Sequence, residues 1–427
     1  MPKPRLVVID PGHFHAALVQ KEMYEAVSPE ARVYAPLGPE LLDYLGRIAR
    51  FNAAADAPTA WRLQVQASPD FLKRLAQEPV VGIAVIAGRN GVKIERIEAA
   101  VEAGLHVLAD KPAIIRNEDL PRLEAVLNRA AERGLAVYDL MTGRMDEVGR
   151  IIRALHNDPD VFGEPVPGTA AEPGISLSNV HQLLKTVAGV PNRRPPWYFD
   201  VTEQGEALAD TGTHLVDRVH ETLFPGEALD YRRDIRLHRA SRRPTRLSLA
   251  QFREVTGEAG WPDFLAPWLK DDTLDYFCNG RLHYQVRGIH VALECRWEWQ
   301  TEAGDDTHSA MYHGSRARLE LRQGKAERYR AQLYVVPEAE IAGALERRIA
   351  ALQPELPGTG LERRDGEWRI VVPDTLRRGH DAHFAAFTRQ FLSYVADPVS
   401  VPSRFRPNLL AKYFVTTGGV ALSHGRQ

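Results

Sequence analysis

The sequence offers its chemistry at two places, Asp110-Lys111-Pro112 and Asp210-Thr211-Gly212-Thr213-His214. A lysine ammonium shifts its pKa readily when buried and can then shuttle a proton. Pro112 restricts Lys111 to extended conformations, which aims that side chain in one direction. Asp210 and His214 are four residues apart, so a helix running from about Asp210 puts both on one face, within reach of a common substrate hydroxyl. A carboxylate beside an imidazole orients it and raises its basicity, which suits proton abstraction near neutral pH. Position alone equally suits a surface lysine in a loop, and Asp210 as a helix N-cap with His214 a satisfied buried histidine.

The elements around Lys111 give it a definite place. Val80–Ala87 is a short, β-branched apolar run bounded by Gly88-Arg89-Asn90-Gly91, as in a strand buried on both faces. Ile94, Ile97, Ala100 and Val101 mark one face of a helix that Gly104 ends, and Leu105–Leu108 is the next strand. Lys111 then falls just past the carboxyl end of that strand, the edge where open parallel sheets bind ligands. Further strands are predicted at Val7–Ile9, Arg32–Ala35 and Ala136–Tyr138, with a helix carrying Leu120, Leu123, Leu127 and Ala130 before Gly134. Such alternation predicts a doubly wound, Rossmann-like α/β domain over residues 1–145, with residues 37–60 as a helical insertion.

Residues 146–427 read differently. A helix over Val148–His156 leads into Gly- and Pro-rich sequence, strands fill Leu282–Leu321, and helical periodicity returns near His383–Val395 and from Leu409. This grouping predicts an α+β domain with a large, mainly antiparallel open sheet, and C-terminal helices in 379–427 that pack back. The 427 residues suit two or three domains, and a formal net charge of -2 gives no electrostatic case for nucleic acid or an anionic membrane as partner. Cys278 and Cys295 are the only cysteines, so neither a disulfide framework nor a cysteine metal cluster is indicated. Residues 1–5 run straight into Leu6-Val7-Val8-Ile9 with no room for a signal peptide, and no apolar run has the ~20 residues of a membrane span. A cytoplasmic location is expected.

The strand-helix-strand ending in Asp110-Lys111-Pro112, followed about 100 residues later by Asp210-x-Gly212-x-His214, resembles the Gfo/Idh/MocA family of sugar and cyclitol oxidoreductases. The resemblance implies NAD or NADP as cofactor and a small carbohydrate as substrate, with Lys111, Asp210 and His214 catalytic. Hydride would pass between nicotinamide C4 and a sugar carbon, His214 exchanging the hydroxyl proton and Lys111 polarising the same oxygen. Asp10, Gly12, His13, Phe14, Asn90, Lys111 and Pro112 are the implied cofactor contacts. Arg144 stands where relatives place an arginine near the substrate cleft. A homodimer or homotetramer built on the outer face of the second-domain sheet is also implied.

The chain departs from that pattern. Family members carry Gly-x-Gly-x-x-Gly after the first strand, whereas Asp10-Pro11-Gly12-His13-Phe14-His15 keeps only Gly12. A carboxylate near a phosphate is unfavourable unless it points away. His13 and His15 could compensate as donors or chelate a metal as His-x-His; with no acidic or third histidine ligand nearby in sequence, no metal is expected. Val33-Tyr34-Ala35-Pro36 has no acidic residue for a ribose hydroxyl, so NAD and NADP are not separated. Lys93 replaces a frequent histidine. Trp197 and Tyr198 are candidates for a platform under a sugar ring, or for the core. His181 and Lys185 share a possible helical face from which to reach hydroxyls, or are simply solvated. Two other functions use the same residues: redox-neutral glycoside cleavage through transient oxidation by tightly held NAD, and a non-catalytic binding or regulatory protein.

Overall fold

The computed structural model describes residues 3–78, 81–187, 190–191, 193–300, 305–377 and 379–425. Two compact units divide the chain: Met1–Met145 with Arg378–Arg406, and Asp146–Arg377 with Pro407–Gln427.

The first unit alternates strand and helix in the order β1 (Arg5–Ile9), α1 (His15–Leu18), β2 (Glu30–Ala35), α2 (Pro39–Asn52), β3 (Arg62–Ala67), α3 (Phe71–Gln77), β4 (Gly82–Ile86), α4 (Lys93–Glu102), β5 (His106–Asp110), α5 (Leu120–Glu132) and β6 (Val137–Leu140). The strands form one six-stranded parallel sheet, β3-β2-β1-β4-β5-β6, with its switch point between β1 and β4. Every residue of β4 is buried, because helices cover both faces of the sheet centre. The expected strand from Val80 is shorter: Val80 lies outside the described residues and Val81 is exposed. Helix α4 buries Ile94, Ile97, Ala100 and Val101, and Gly104 takes φ +77° just past its end.

Residues 37–60 are not an insertion, since α2 is the crossover between β2 and a strand, β3, that the sequence did not suggest. Arg62, Gln64 and Gln66 leave β3 with little apolar signal, which an exposed edge strand does not need. Helix His380–Ala396 completes this unit, with Phe384, Phe387 and Phe391 buried; Phe405, just beyond it, stacks on Tyr138 at 3.7 Å between ring centres.

The second unit is built on a ten-stranded, mainly antiparallel sheet. Its spatial order begins Ile235–Ser248, Thr273–Val286, Ile289–Glu298, Ile175–Gln182, Thr307–His313 and Ala317–Gln323, and only the Ile289–Glu298 and Ile175–Gln182 pair runs parallel. Strand Ile235–Ser248 carries Arg236, Arg239, Arg242, Arg243 and Arg246, a composition that hides it from an apolar pattern search. Helices Glu147–His156 and Gly212–Leu223 supply Val148, Ile151, Ile152, Leu155, Leu215, Val216 and Val219 to one core with the sheet's Leu282, Tyr284, Val291 and Leu293. Each such aliphatic side chain contributes roughly 1.5–3 kcal/mol on burial, which anchors the helix that begins beside Asp210. Among the described residues, no helix is long and apolar enough to cross a membrane.

Candidate functional site

In the first unit the candidate residues gather at the carboxyl edge of β1, β4 and β5. The loop after β1 is held by its own backbone: Gly12 N–H donates to Asp10 O at 2.8 Å and His13 N–H to Ala87 O at 3.0 Å. Asp10 takes φ +50°, and its carboxylate is paired with Arg96 of α4 at 3.2 Å. That pairing answers the charge conflict read from sequence, since the carboxylate is already neutralised by a guanidinium. Gly88 lets the end of β4 approach this loop closely, since an added Cβ there would lie 2.5 Å from Asp10 O.

Asp110, the last residue of β5, is 5% exposed and faces both histidines of the loop. Its Oδ2 lies 2.9 Å from His15 Nδ1 and 3.3 Å from His13 Nδ1. Burial alone would raise the Asp110 carboxyl, but the imidazoles of His15 and His13 and the Lys93 ammonium outweigh it and hold that carboxyl well below the usual range. Lys93 is 1% exposed rather than a surface residue of its helix, and its Nζ donates to Asn90 Oδ1 at 2.6 Å and to Asp110 O at 2.9 Å. Asn90 is thereby placed, buried, between β4 and α4. Phe14 packs on the His13 ring at 4.5 Å, under the Arg47 guanidinium. Lys111 is half-buried immediately after β5, Pro112 is buried, and the bond between them is cis. Arg144 lies in the turn Thr142–Met145 after β6, its guanidinium 5.8 Å from the centre of the Phe405 ring.

In the second unit Asp210 precedes helix Gly212–Leu223 instead of opening it. Thr211 occupies the N-cap position, with no side-chain capping hydrogen bond. Asp210 is 5% exposed, its N–H donates to Glu206 O, and its charge reaches the buried phenols of Tyr198 and Tyr276. Burial pushes the Tyr198 hydroxyl up; Arg194, over its ring at 4.6 Å, opposes this and Asp210 adds to it. His214, on the first turn of the helix, is half-buried.

The structure also joins His181 and Lys185, though not on a helix. His181 ends strand Ile175–Gln182 and Lys185 lies in the loop after it. What unites them is Asp306, whose Oδ2 is 2.7 Å from His181 Nδ1 and 2.6 Å from Lys185 Nζ. Burial raises the Asp306 carboxyl, but His181 and Lys185 overcome it and bring it down to about 2. His308 stands beside them, 3.3 Å from Arg218 Nη1; burial lowers its pKa well below the imidazole range, and the charges of Arg218, His181 and His214 act in the same direction. Asp306 thus joins His181 and Lys185, and the charge of His214 reaches His308 beside them. Asp306, His308 and Arg218 escaped the sequence reading because no local motif marks them.

Trp197 and Tyr198 do not form an exposed platform. Both sit in the turn Pro196–Phe199 and are 3% and 5% exposed. Tyr198 belongs to an apolar cluster with Phe199, Phe252, Tyr276 and Trp297, so the prolines turn this segment inward rather than present it.

Residues 151–424 match the family model described as "Putative oxidoreductase C terminal domain". The crystal structure of a "putative oxidoreductase" from Parabacteroides merdae is 38% identical with a TM-score of 0.95, covering 99% of this chain and 98% of that one. A curated protein of Synechocystis, an uncharacterized oxidoreductase, is 26% identical over 187 residues; the match spans 44% of this chain and 46% of that protein, about half its length. The chain is also similar in fold, at a TM-score of 0.59, to KijD10, a 3-ketoreductase from Actinomadura kijaniata solved with NADP. That likeness is 18% identical and covers 100% of this chain and 98% of that one.

Proposed function

The chain belongs to the oxidoreductase C-terminal domain family, and from that premise we propose that it is an NAD(P)-dependent oxidoreductase of the Gfo/Idh/MocA type. Its substrate is a carbohydrate or cyclitol hydroxyl, or the corresponding ketone. The observation that carries the reading is the β3-β2-β1-β4-β5-β6 order, with Gly12 and Asn90 beyond the carboxyl ends of β1 and β4, which flank the switch point, and Lys111 beyond that of the neighbouring β5. KijD10, which shares the fold, is a 3-ketoreductase solved with NADP.

Gly12, His13, Phe14, Asn90, Lys111 and Pro112 are the residues proposed to hold the nicotinamide dinucleotide. Two observations bear on the fit. Asp10 is neutralised by Arg96, which removes repulsion of a pyrophosphate. The Gly12 and His13 N–H groups are taken by Asp10 O and Ala87 O, so phosphate recognition falls largely to side chains. When bound, the dinucleotide supplies the hydride acceptor or donor. His214 holds or takes the hydroxyl proton, Asp210 sets the local charge, and Lys111 donates to the reacting oxygen. Arg144, His181 and Lys185 orient hydroxyls, with Asp306 fixing the last two. Association into dimers or tetramers through the outer face of the second unit's sheet belongs to the same proposal.

The test is to denature the purified protein, look for released nicotinamide by absorbance and mass, and titrate the native protein with NAD(H) and NADP(H). Near-stoichiometric cofactor, or saturable binding, is expected. Neither would end the oxidoreductase reading and bring the binding-protein function forward. A second reading uses the same residues for redox-neutral cleavage on a cofactor that does not exchange; turnover without release of free NADH distinguishes it.

A further inference from the structure

The β1 loop and the end of β5 bring together an arrangement that hydride transfer does not require. Among the described residues, His13, His15 and Asp110 are the one group of three ligating side chains whose donor atoms all lie within 4.8 Å of one another. The acidic neighbour of the His-x-His pair in sequence, Asp10, is paired with Arg96, and the fold supplies Asp110 from 95 residues beyond His15.

The geometry points to a site for one divalent transition-metal ion held by His13, His15 and Asp110. Metal–nitrogen and metal–oxygen bonds run about 2.0–2.2 Å, so ligand atoms around one ion stand roughly 3–3.5 Å apart. Asp110 Oδ2 is 2.9 Å and 3.3 Å from the two Nδ1 atoms. His13 Nδ1 is buried and makes no hydrogen bond at the second of these distances, which an ion between the three would remedy. The imidazoles are walled by aromatic rings: Phe14 lies 4.5 Å from each, and Phe384 lies 4.6 Å from His15. Two imidazoles and one carboxylate select Zn²⁺, Co²⁺, Fe²⁺ or Mn²⁺ over Ca²⁺ and Mg²⁺, which prefer all-oxygen sites. They also leave coordination positions for an oxygen ligand, a substrate hydroxyl or a phosphate. The Lys93 ammonium, bonded to Asp110 O at 2.9 Å, opposes a cation and lowers the affinity. The site goes beyond the nicotinamide reading and does not depend on it.

The experiment strips the full-length protein with a chelator and reloads it with Co²⁺, following visible d–d bands and equilibrium dialysis, with near-UV circular dichroism as the fold check. One Co²⁺ per chain is expected, with a loss of at least ten-fold in affinity for His15→Ala and Asp110→Asn. His313→Ala, at a half-exposed histidine paired with Glu338, should bind as the wild type does. If His15→Ala or Asp110→Asn misfolds, His13→Gln at the more exposed histidine decides. No stoichiometric Co²⁺ in the wild type, or binding unmoved by His13→Gln, overturns the site. Nicotinamide titration is read separately, so a protein that binds NADP and no cobalt refutes this site and leaves the proposed function standing.

Discussion

Asp306 shows how a single carboxylate can organise two basic side chains from a strand end and a loop. It lies 2.6–2.7 Å from Lys185 and His181 and takes the Gln182 N–H at 3.1 Å. Its carboxyl sits at about 2 against an ordinary 3.8, and a depressed folded-state pKa gives stability that is present above the unfolded value and lost as pH falls through the folded one. The wild type should therefore lose this contribution between about pH 4 and pH 2, and Asp306→Asn should show a flatter acid limb in melting temperature against pH. An unchanged acid limb would mean that the ion pairs contribute nothing measurable. Asp306 and Asp110 also mark the limit of sequence reading at this scale. Lys111, Asp210 and His214 could be singled out from short local patterns, whereas these two carboxylates acquire their partners only when strands distant in sequence become neighbours.

At the level of elements, legibility followed burial. Strand β4, helix α4 and strand β5 could be read because their apolar residues face covered surfaces, and Ile94, Ile97, Ala100 and Val101 are all buried as the periodicity requires. Strand β3 and strand Ile235–Ser248 could not, because both are edges carrying polar residues toward solvent. Helix Gly212–Leu223 began two residues later than its spacing suggested, which left Asp210 in the preceding turn. The junction of β1 and β4 yields a test of the cofactor loop. A methyl at Gly88 would meet Asp10 O at 2.5 Å, a backbone atom held by its own hydrogen bond from Gly12. Gly88→Ala should displace the loop, costing about 1–3 kcal/mol in denaturant unfolding and weakening nicotinamide binding at least ten-fold. Unaltered affinity in the variant would place the dinucleotide elsewhere.

Neither unit of the molecule is a continuous stretch of sequence. The first recruits residues 378–406, whose Phe384, Phe387 and Phe391 are buried, and the second recruits residues 407–427. In the second, Lys412 is 1% exposed and reaches Asp217 at 3.1 Å, on the helix that also carries His214. Removing one member of a buried ion pair costs about 3–5 kcal/mol, because the other charge is left uncompensated. A chain ended at Arg377 should consequently lose ordered packing in both units at once, seen as lost near-UV circular dichroism and binding of a hydrophobic dye. A truncated protein with one intact, cooperatively melting unit would contradict this.

The discontinuity also sets the timetable of synthesis. Domains made by a ribosome usually fold in the order in which they emerge, the amino-terminal one first. Here the six strands begun at Arg5 are finished by Leu140, yet the unit they belong to does not receive its last segment until Arg406 has been made. The first sheet, its strands complete, must wait for its last helix, with Tyr138 lacking Phe405, while more than two hundred intervening residues are translated. The two units, begun far apart in time, can close only within moments of each other.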